Sequence, residues 1–150
     1  MPYFAAVFAR TDQGWVGTDT ELAEAEGFDD VADLMREVAL EAVGDPVLLL
    51  VEEDDHWFAV IRLDDQGEPR VFLSDAHAET DGGLAGVLME AIAGEPALDG
   101  EAGGDPALLE DMGVDAKRLL ELSQKVLPGD ALQAVVEQTG LADEYDRLRE

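Results

Sequence analysis

Apolar residues cluster at the start of the chain in a pattern that predicts two paired strands. Residues 3–9 are aromatic or aliphatic, and the turn-forming residues 11–14 separate them from Trp15 and Val16. Apolar runs on either side of a short polar turn are typical of a β-hairpin. The sequence therefore predicts a hairpin here, with a short second strand.

Three further apolar runs in the middle of the chain predict a meander of strands. They cover residues 47–51, 57–63 and 70–74, and short polar stretches separate them. Such short connections favour antiparallel neighbours. Both alternating sets of side chains in residues 47–51 are apolar, which predicts that helices cover both faces of the sheet.

The spacing of apolar residues predicts helices between and after these strands. Residues 29–43 carry apolar side chains at helical intervals, with Asp29 or Asp30 able to cap the start and Gly44 following the end. Residues 84–92 show the same spacing. Three shorter helices are predicted to begin near Asp115, Asp130 and Asp143.

The order of these elements predicts an α+β fold. Its antiparallel five-stranded sheet has helices on both faces, and the order ββαβββα is similar to that of longin and profilin-like domains. Residues 1–93 are predicted to form this sheet domain. Residues 94–106 are rich in Gly, Pro, Ala and acids without periodicity, which predicts a flexible acidic linker. Residues 107–150 are predicted to be a small helical extension packed on the same domain.

The net charge of the chain limits the classes of molecule that the protein is expected to bind. The 150 residues include 36 acidic and 9 basic side chains, a formal net charge of −27 at pH 7. Such a surface repels phosphate backbones and anionic lipids, so direct binding to nucleic acid or to a membrane is not expected. It attracts cations and basic proteins, including proteins that themselves hold nucleic acid. A background bias in composition is an alternative explanation that needs no function.

Residue types that much enzyme chemistry needs are missing. There are no cysteines, which excludes disulfides, thiolate nucleophiles and cysteine-ligated zinc and suits a reducing compartment. The first ten residues do not have the pattern of a secretion signal, and no apolar run approaches the ~20 residues of a membrane helix, so a cytoplasmic location is expected. The glycine-rich phosphate-binding motifs are absent, and no cofactor is predicted.

One short segment comes nearest to catalytic chemistry. Ser74, Asp75 and His77 are the residue types of a catalytic triad, but neighbours on an extended segment alternate faces, so a strand end entering a polar loop is the simpler interpretation. An alternative is a metal site formed by Asp75, His77, Glu79 and Asp81, which would indicate a carboxylate-metal-dependent hydrolase. Because acids are frequent throughout the chain, we favour a solvated loop.

A partner-binding surface is predicted beside the polar turns of the meander. Most aromatic residues are expected in the core, but a tryptophan that stays exposed can anchor a partner. Trp57 follows an acidic turn and is the first candidate for that role. The other interaction residues predicted with it are Asp54, Asp55, Arg70 and Asp75.

Several stretches together resemble one protein family. They are YFAAV at residues 3–7, Trp15, WFAVIR at residues 57–62, PRVFLSD at residues 69–75 and LPGDAL at residues 127–132. This pattern resembles the tRNA adenosine deaminase-associated proteins of bacteria. The resemblance implies an association with the enzyme that converts adenosine to inosine in a tRNA anticodon, and it implies no catalytic residues. The chain cannot be that enzyme, whose zinc is held through cysteines.

The leading hypothesis is a non-catalytic acidic accessory protein that binds a basic protein partner. The resemblance implies that this partner is tRNA adenosine deaminase. Two alternatives stay open: the carboxylate-metal-dependent hydrolase, and a structural dimerisation module of the longin type that would form a homodimer.

Overall fold

A computed structural model describes eight stretches of the chain, residues 4–12, 14–19, 28–53, 57–63, 69–74, 103–105, 107–125 and 128–149. Within these ranges the strands are β1 (Phe4–Thr11), β2 (Gly14–Asp19), β3 (Gly44–Glu53), β4 (Trp57–Leu63), β5 (Arg70–Leu73) and β6 (Gly103–Gly104). The α-helices of the same ranges are α1 (Phe28–Glu41), α2 (Ala116–Lys125), α3 (Pro128–Thr139) and α4 (Ala142–Arg149), and a single 3-10 turn (Glu110–Met112) precedes α2.

The strands form one sheet in the order β2-β1-β3-β4-β5-β6, and every neighbouring pair is antiparallel. The predicted α+β class and antiparallel sheet are therefore confirmed. After the β1–β2 hairpin the chain passes through α1 and re-enters the sheet on the other side of β1. This connection places β1 in the interior of the sheet, where both of its edges are hydrogen-bonded.

Helices pack on both faces of the sheet. Val31 and Met35 of α1 pack against one set of alternating strand residues, which includes Val7, Leu49 and Ile61. We call this side the α1 face. Helices α2, α3 and α4 cover the opposite side, the C-terminal-helix face, whose buried strand residues are Ala6, Phe8, Leu48, Leu50, Phe58, Val60 and Phe72.

The prediction of five strands is wrong, because β6 adds a sixth. Its two glycines pair with Phe72 and Leu73 of β5, and the backbone N–H of Asp105 extends the contact by donating to the Val71 carbonyl at 2.8 Å. Glycines have no side chain whose polarity could alternate, so the strand leaves no hydrophobic pattern in the sequence. It lies inside the predicted linker 94–106; residues 94–102 and the predicted helix 84–92 are outside the described residues.

A buried acid connects the sheet to α3. Glu52 of β3 is buried, and its Oε1 lies 3.0 Å from the position that a Cβ on Gly129 would occupy in the first turn of α3. A carboxylate is favoured at a helix N-terminus by the free backbone N–H groups and the helix dipole. The glycine at this position therefore leaves the space into which the Glu52 carboxylate fits.

The first hairpin depends on a second glycine. Gly17 of β2 pairs with Phe8 of β1, and a Cβ at Gly17 would lie 2.6 Å from Phe8 Cε1 and 2.9 Å from Leu148 Cδ1. The Phe8 ring thus lies directly on the glycine, with Leu148 of α4 beside it. Any larger residue would push the buried ring or α4 away from the strand.

We expect the substitution Gly17→Ala to lower the free energy of unfolding by about 1–3 kcal/mol, because the added methyl overpacks against Phe8 and Leu148. Thr18→Ala is the matched control, since Thr18 is the exposed next residue of the same strand. Urea unfolding followed by circular dichroism measures both. The lower backbone entropy of the unfolded alanine variant would by itself make it at least as stable as the wild type. A Gly17→Ala variant with wild-type stability would therefore contradict this packing.

Candidate functional site

A buried arginine is the centre of the strongest polar arrangement in the described residues. Arg62 of β4 is buried on the C-terminal-helix face, where its Nη1 donates to the Leu108 carbonyl at 2.8 Å. Both of its Nη groups also donate to the carboxylate of Asp111, with 2.8 Å between Nη2 and Oδ2. This two-bond pairing is the strong form of an arginine–carboxylate contact. It supplies the partners that a buried guanidinium requires.

The aspartate of this pair is held in its charged form. The hydrogen bonds from Arg62 lower the pKa of Asp111 below its ordinary value, and attraction to the Arg62 and Arg70 charges acts in the same direction. Partial burial opposes them by raising the pKa, but it is the smaller effect. Because the Asp111 side chain is 65% exposed, water screens much of the interaction.

A second arginine lies directly across the strand pair. Arg70 of β5 is the cross-strand partner of Arg62, and two like charges in this position repel each other. Acids offset the repulsion: Arg70 Nη1 lies 3.4 Å from Asp105 Oδ2, and the Asp105 Oδ1 accepts a hydrogen bond from the Ala107 backbone N–H at 2.9 Å. We call Arg62, Arg70, Asp105 and Asp111 the arginine–aspartate cluster.

The chemistry of the arginine–aspartate cluster suits binding and positioning. Guanidinium groups stay protonated in proteins, and the pKa of Asp111 is lowered, so neither member of the Arg62–Asp111 pair exchanges protons near neutral pH. The contacts of Arg62 and Asp105 fix the segment that leads from β6 to the 3-10 turn against the sheet. Asp111 and Arg70, whose side chains are 65% and 41% exposed, carry the part of the cluster that solvent reaches most.

The predicted interaction residues are not all brought together. Arg70 lies at the surface of the cluster, whereas Asp54, Asp55 and Asp75 are outside the described residues. Trp57 is 1% exposed and belongs to the core of the α1 face. The expected exposure of Trp57 is therefore not found, and its role as an interaction residue stays a prediction. The acidic turn before it suggested the surface, but β4 runs between β3 and β5 with cover on both faces.

Burial gives Trp57 an unusual property. Its indole Nε1 is a buried hydrogen-bond donor without an acceptor among the described residues. Buried donors are nearly always paired, so an unpaired one is a local energetic weakness. Sequence reasoning could not find it, because it depends on the ring being buried among the aliphatic side chains of the α1 face.

Ser74 has a structural role at the end of β5. Its Oγ accepts a hydrogen bond from the buried Phe58 backbone N–H at 2.9 Å, and its own N–H donates to the Phe58 carbonyl at 2.9 Å. Both bonds continue the β4–β5 pairing beyond the last residue of β5. This use of the hydroxyl agrees with the interpretation of the segment as a strand end.

The alternative metal site falls in a part of the chain that the structure does not describe. Asp75, His77, Glu79 and Asp81 lie outside the described residues, so the hydrolase alternative stays a prediction. In the described ranges themselves, no group of three or more His, Asp or Glu side chains is placed to hold an ion. Within the same ranges, none of the helices combines the length and apolarity that crossing a bilayer requires.

A model of a known protein family matches most of the chain. Residues 3–142 of the 150 match the family model described as Rv3753c-like tRNA adenosine deaminase-associated protein. The chain belongs to this family. No curated protein and no solved structure matches it, so the similarity to longin and profilin-like domains stays a prediction.

The stretches that resemble the Rv3753c-like family lie mostly in the scaffold. Residues 57–62 form most of β4, residues 70–73 form β5, and residues 128–132 begin α3 beside Glu52. In the first two stretches every residue from 57 to 62 and from 71 to 73 is buried. These stretches thus include buried residues of β4 and β5 together with Arg62, the last residue but one of β4, and Arg70, the first residue of β5.

The hydroxyl of Ser74 supplies a test of its structural role. Ser74→Ala is expected to lower the free energy of unfolding by about 1–3 kcal/mol, because it leaves the buried Phe58 N–H without its acceptor. Ser123→Ala is the control. The Ser123 hydroxyl donates to the Leu120 carbonyl within α2, so its removal leaves no backbone N–H without an acceptor. Urea unfolding compares the two variants. Equal losses would contradict the role assigned to Ser74.

The lowered pKa of Asp111 predicts how stability depends on pH. A carboxyl group with a folded-state pKa below its unfolded value of about 3.9 stabilises the fold above that pH and stops doing so as the pH falls through the folded-state pKa. We expect Asp111→Asn to lower the free energy of unfolding by about 1 kcal/mol near pH 7, a modest amount because Asp111 is largely exposed. The difference from the wild type should shrink as the pH falls below the unfolded-state value and through the lower folded-state pKa of Asp111. A difference that is constant with pH in urea unfolding would show that the charge of Asp111 has no part in it.

Proposed function

We propose that this protein is a non-catalytic accessory protein that binds tRNA adenosine deaminase through its acidic surface. The observation that carries the proposal is the family match over residues 3–142, whose description names an association with that enzyme. The proposal assigns the protein to the reducing interior of the cell, where the tRNA substrate of the enzyme is found, and gives it no direct contact with the RNA.

The residue composition supports a role beside the enzyme and not as the enzyme. Zinc-dependent nucleobase deaminases hold their metal through cysteine ligands, and this chain contains no cysteine. In the described residues, the strongest polar arrangement is built from two arginines and two aspartates and supplies contacts, not proton transfer. A protein with these properties contributes to a tRNA-modifying reaction by binding a protein that performs it.

Electrostatics supports a basic protein as the partner. An enzyme that binds tRNA needs a cationic surface that contacts the phosphate groups of the RNA. A chain of net charge −27 attracts such a surface over several ångströms of solution and accelerates the encounter. The same charge repels the tRNA itself, so the expected complex is one of protein with protein.

Copurification of the two proteins tests the proposal. We expect the tagged protein to retain tRNA adenosine deaminase from the same organism at low salt and to lose it as the salt concentration rises, because salt screens the attraction. A basic protein of similar size and charge that binds no tRNA is the control. Equal retention of that control would reduce the binding to nonspecific charge, and no retention of the deaminase would refute the proposed function.

A further inference from the structure

We infer that the outer edge of β2 is where the basic partner docks, by adding an extended segment of its own chain to the sheet as a further strand. This inference rests on the proposed function and adds the surface and the kind of contact. The segment that fits is a short run of strand-forming residues with lysine or arginine on either side of it. Such a contact is made mainly by backbone hydrogen bonds.

Strand β2 is an edge of the sheet that is open to pairing. It is the first strand in the order β2-β1-β3-β4-β5-β6, and its six residues pair with β1 on the inner side. In the described part of the chain no strand pairs with its outer side. The opposite edge is β6, which has only two residues, and such a short edge offers little to a partner. An added strand is therefore expected at β2.

The hydrogen bonds of β1 show which backbone groups of β2 face outward. The Arg10 carbonyl accepts from the Val43 N–H at 2.9 Å on the β3 side of β1, so the polar backbone groups of Arg10 are directed away from its β2 partner, Trp15. In an antiparallel pair of strands, hydrogen-bonded residue pairs alternate with pairs that share no hydrogen bond. The N–H and carbonyl groups of Trp15 and of Gly17, two residues further on, therefore point to the outer side.

The residues of β2 suit an added strand. Edge strands are commonly protected from pairing by lysine, proline or a bulge. Residues 14–19 include neither lysine nor proline, and their register with β1 runs without a shift. The Val16 side chain is 43% exposed, and Thr18 is also exposed. Both are β-branched, the residue type that packs well against the side chains of a neighbouring strand.

Contacts within the fold hold this edge in place. The Arg10 guanidinium lies 5.3 Å from the centre of the Trp15 ring, and Gly17 lies against Phe8 and Leu148. Trp15 and Gly17 are the residues whose backbone groups face outward. An edge that is ordered before the partner arrives loses little conformational entropy on binding.

The charge around β2 favours a basic occupant. Between Arg10 and Arg36 the sequence has eight acids and no basic residue. Two of these acids adjoin the uncharged residues 14–18: Asp12 is exposed in the turn before the strand, and Asp19 is its last residue. This arrangement attracts a segment with lysine or arginine at its ends and repels an acidic one.

A second copy of this chain is a poorer occupant of the edge. Two β2 strands related by a two-fold axis would run antiparallel. The Asp12 end of each strand would then lie beside the Asp19 end of the other, and each copy would bring a net charge of −27. Like charges at this separation oppose pairing. Charge complementarity thus selects a basic protein in preference to self-association.

Hydrogen exchange at single amides tests the pairing. In the free protein we expect Val16 and Thr18 to exchange slowly, because their N–H groups face β1, and Trp15 and Gly17 to exchange quickly. Saturation with tRNA adenosine deaminase should slow exchange at Trp15 and Gly17 by about tenfold or more. Val16 and Thr18 are internal controls, since their hydrogen bonds exist before binding. Mass spectrometry after an acid quench, with fragmentation to single residues, measures all four.

A second experiment compares two matched additions of charge. Val16→Lys with Thr18→Lys places two lysines on the edge strand, and Leu40→Lys with Gln138→Lys adds the same charge at exposed positions of α1 and α3. Lysines on an edge oppose strand addition and repel a basic segment. We expect the edge variant to raise the Kd for the deaminase several times more than the control. Calorimetry at one low salt concentration gives both values, and circular dichroism checks that both variants fold.

The outcomes separate the two proposals. If the wild type binds the deaminase but exchange at Trp15 and Gly17 is unchanged, or if the two lysine variants weaken binding equally, the assignment of the edge is wrong and the proposed function stands. If the wild type does not bind the deaminase, the proposed function fails, and so does the occupant assigned here. A free wild type that is a dimer in light scattering, with Trp15 and Gly17 already protected, would assign the edge to a second copy and overturn the inference.

Discussion

The structure depends on a sheet whose strands are buried on both faces. Residues 5–9 of β1 and residues 47–52 of β3 are buried without interruption, so each strand presents an apolar row to both sides. A single layer of helices would leave one of these rows in water, at a cost of about 25 cal/mol for each Å² exposed. The chain meets this requirement with α1 on one side and α2, α3 and α4 on the other.

The parts of this fold that sequence reasoning could predict are those in which side chains carry the signal. The strands of the hairpin and the meander, the helix near residue 29 and the need for two helical layers all follow from the periodicity of apolar residues. The strand of Gly103 and Gly104 has no such signal, because backbone hydrogen bonds alone define it. The burial of Trp57 was missed for a related reason: a polar turn precedes it, whereas the position of β4 within the sheet decides its exposure.

The arginine–aspartate cluster could not be predicted at all. Arg62 and Asp111 are 49 positions apart, and nothing local to either residue indicates the other. In a chain with four times as many acidic as basic residues, proximity in sequence to an acid is uninformative. Only the strand register, which sets Arg62 opposite Arg70, and the turn after β6 decide which acids become partners.

The contact between Phe4 and Tyr145 has a consequence for the order in which the protein folds. Their rings meet edge to face, with centroids 5.6 Å apart, which joins the first described strand to the last described helix. The ribosome makes α4 after every described strand of the sheet, so the ring of Phe4 lacks its contact with Tyr145 until α4 has been translated. Until then, the apolar side chains of the hairpin that α4 covers in the folded protein stay exposed to water. The packing of this end of the sheet is thus complete only after the C-terminal helices have been translated.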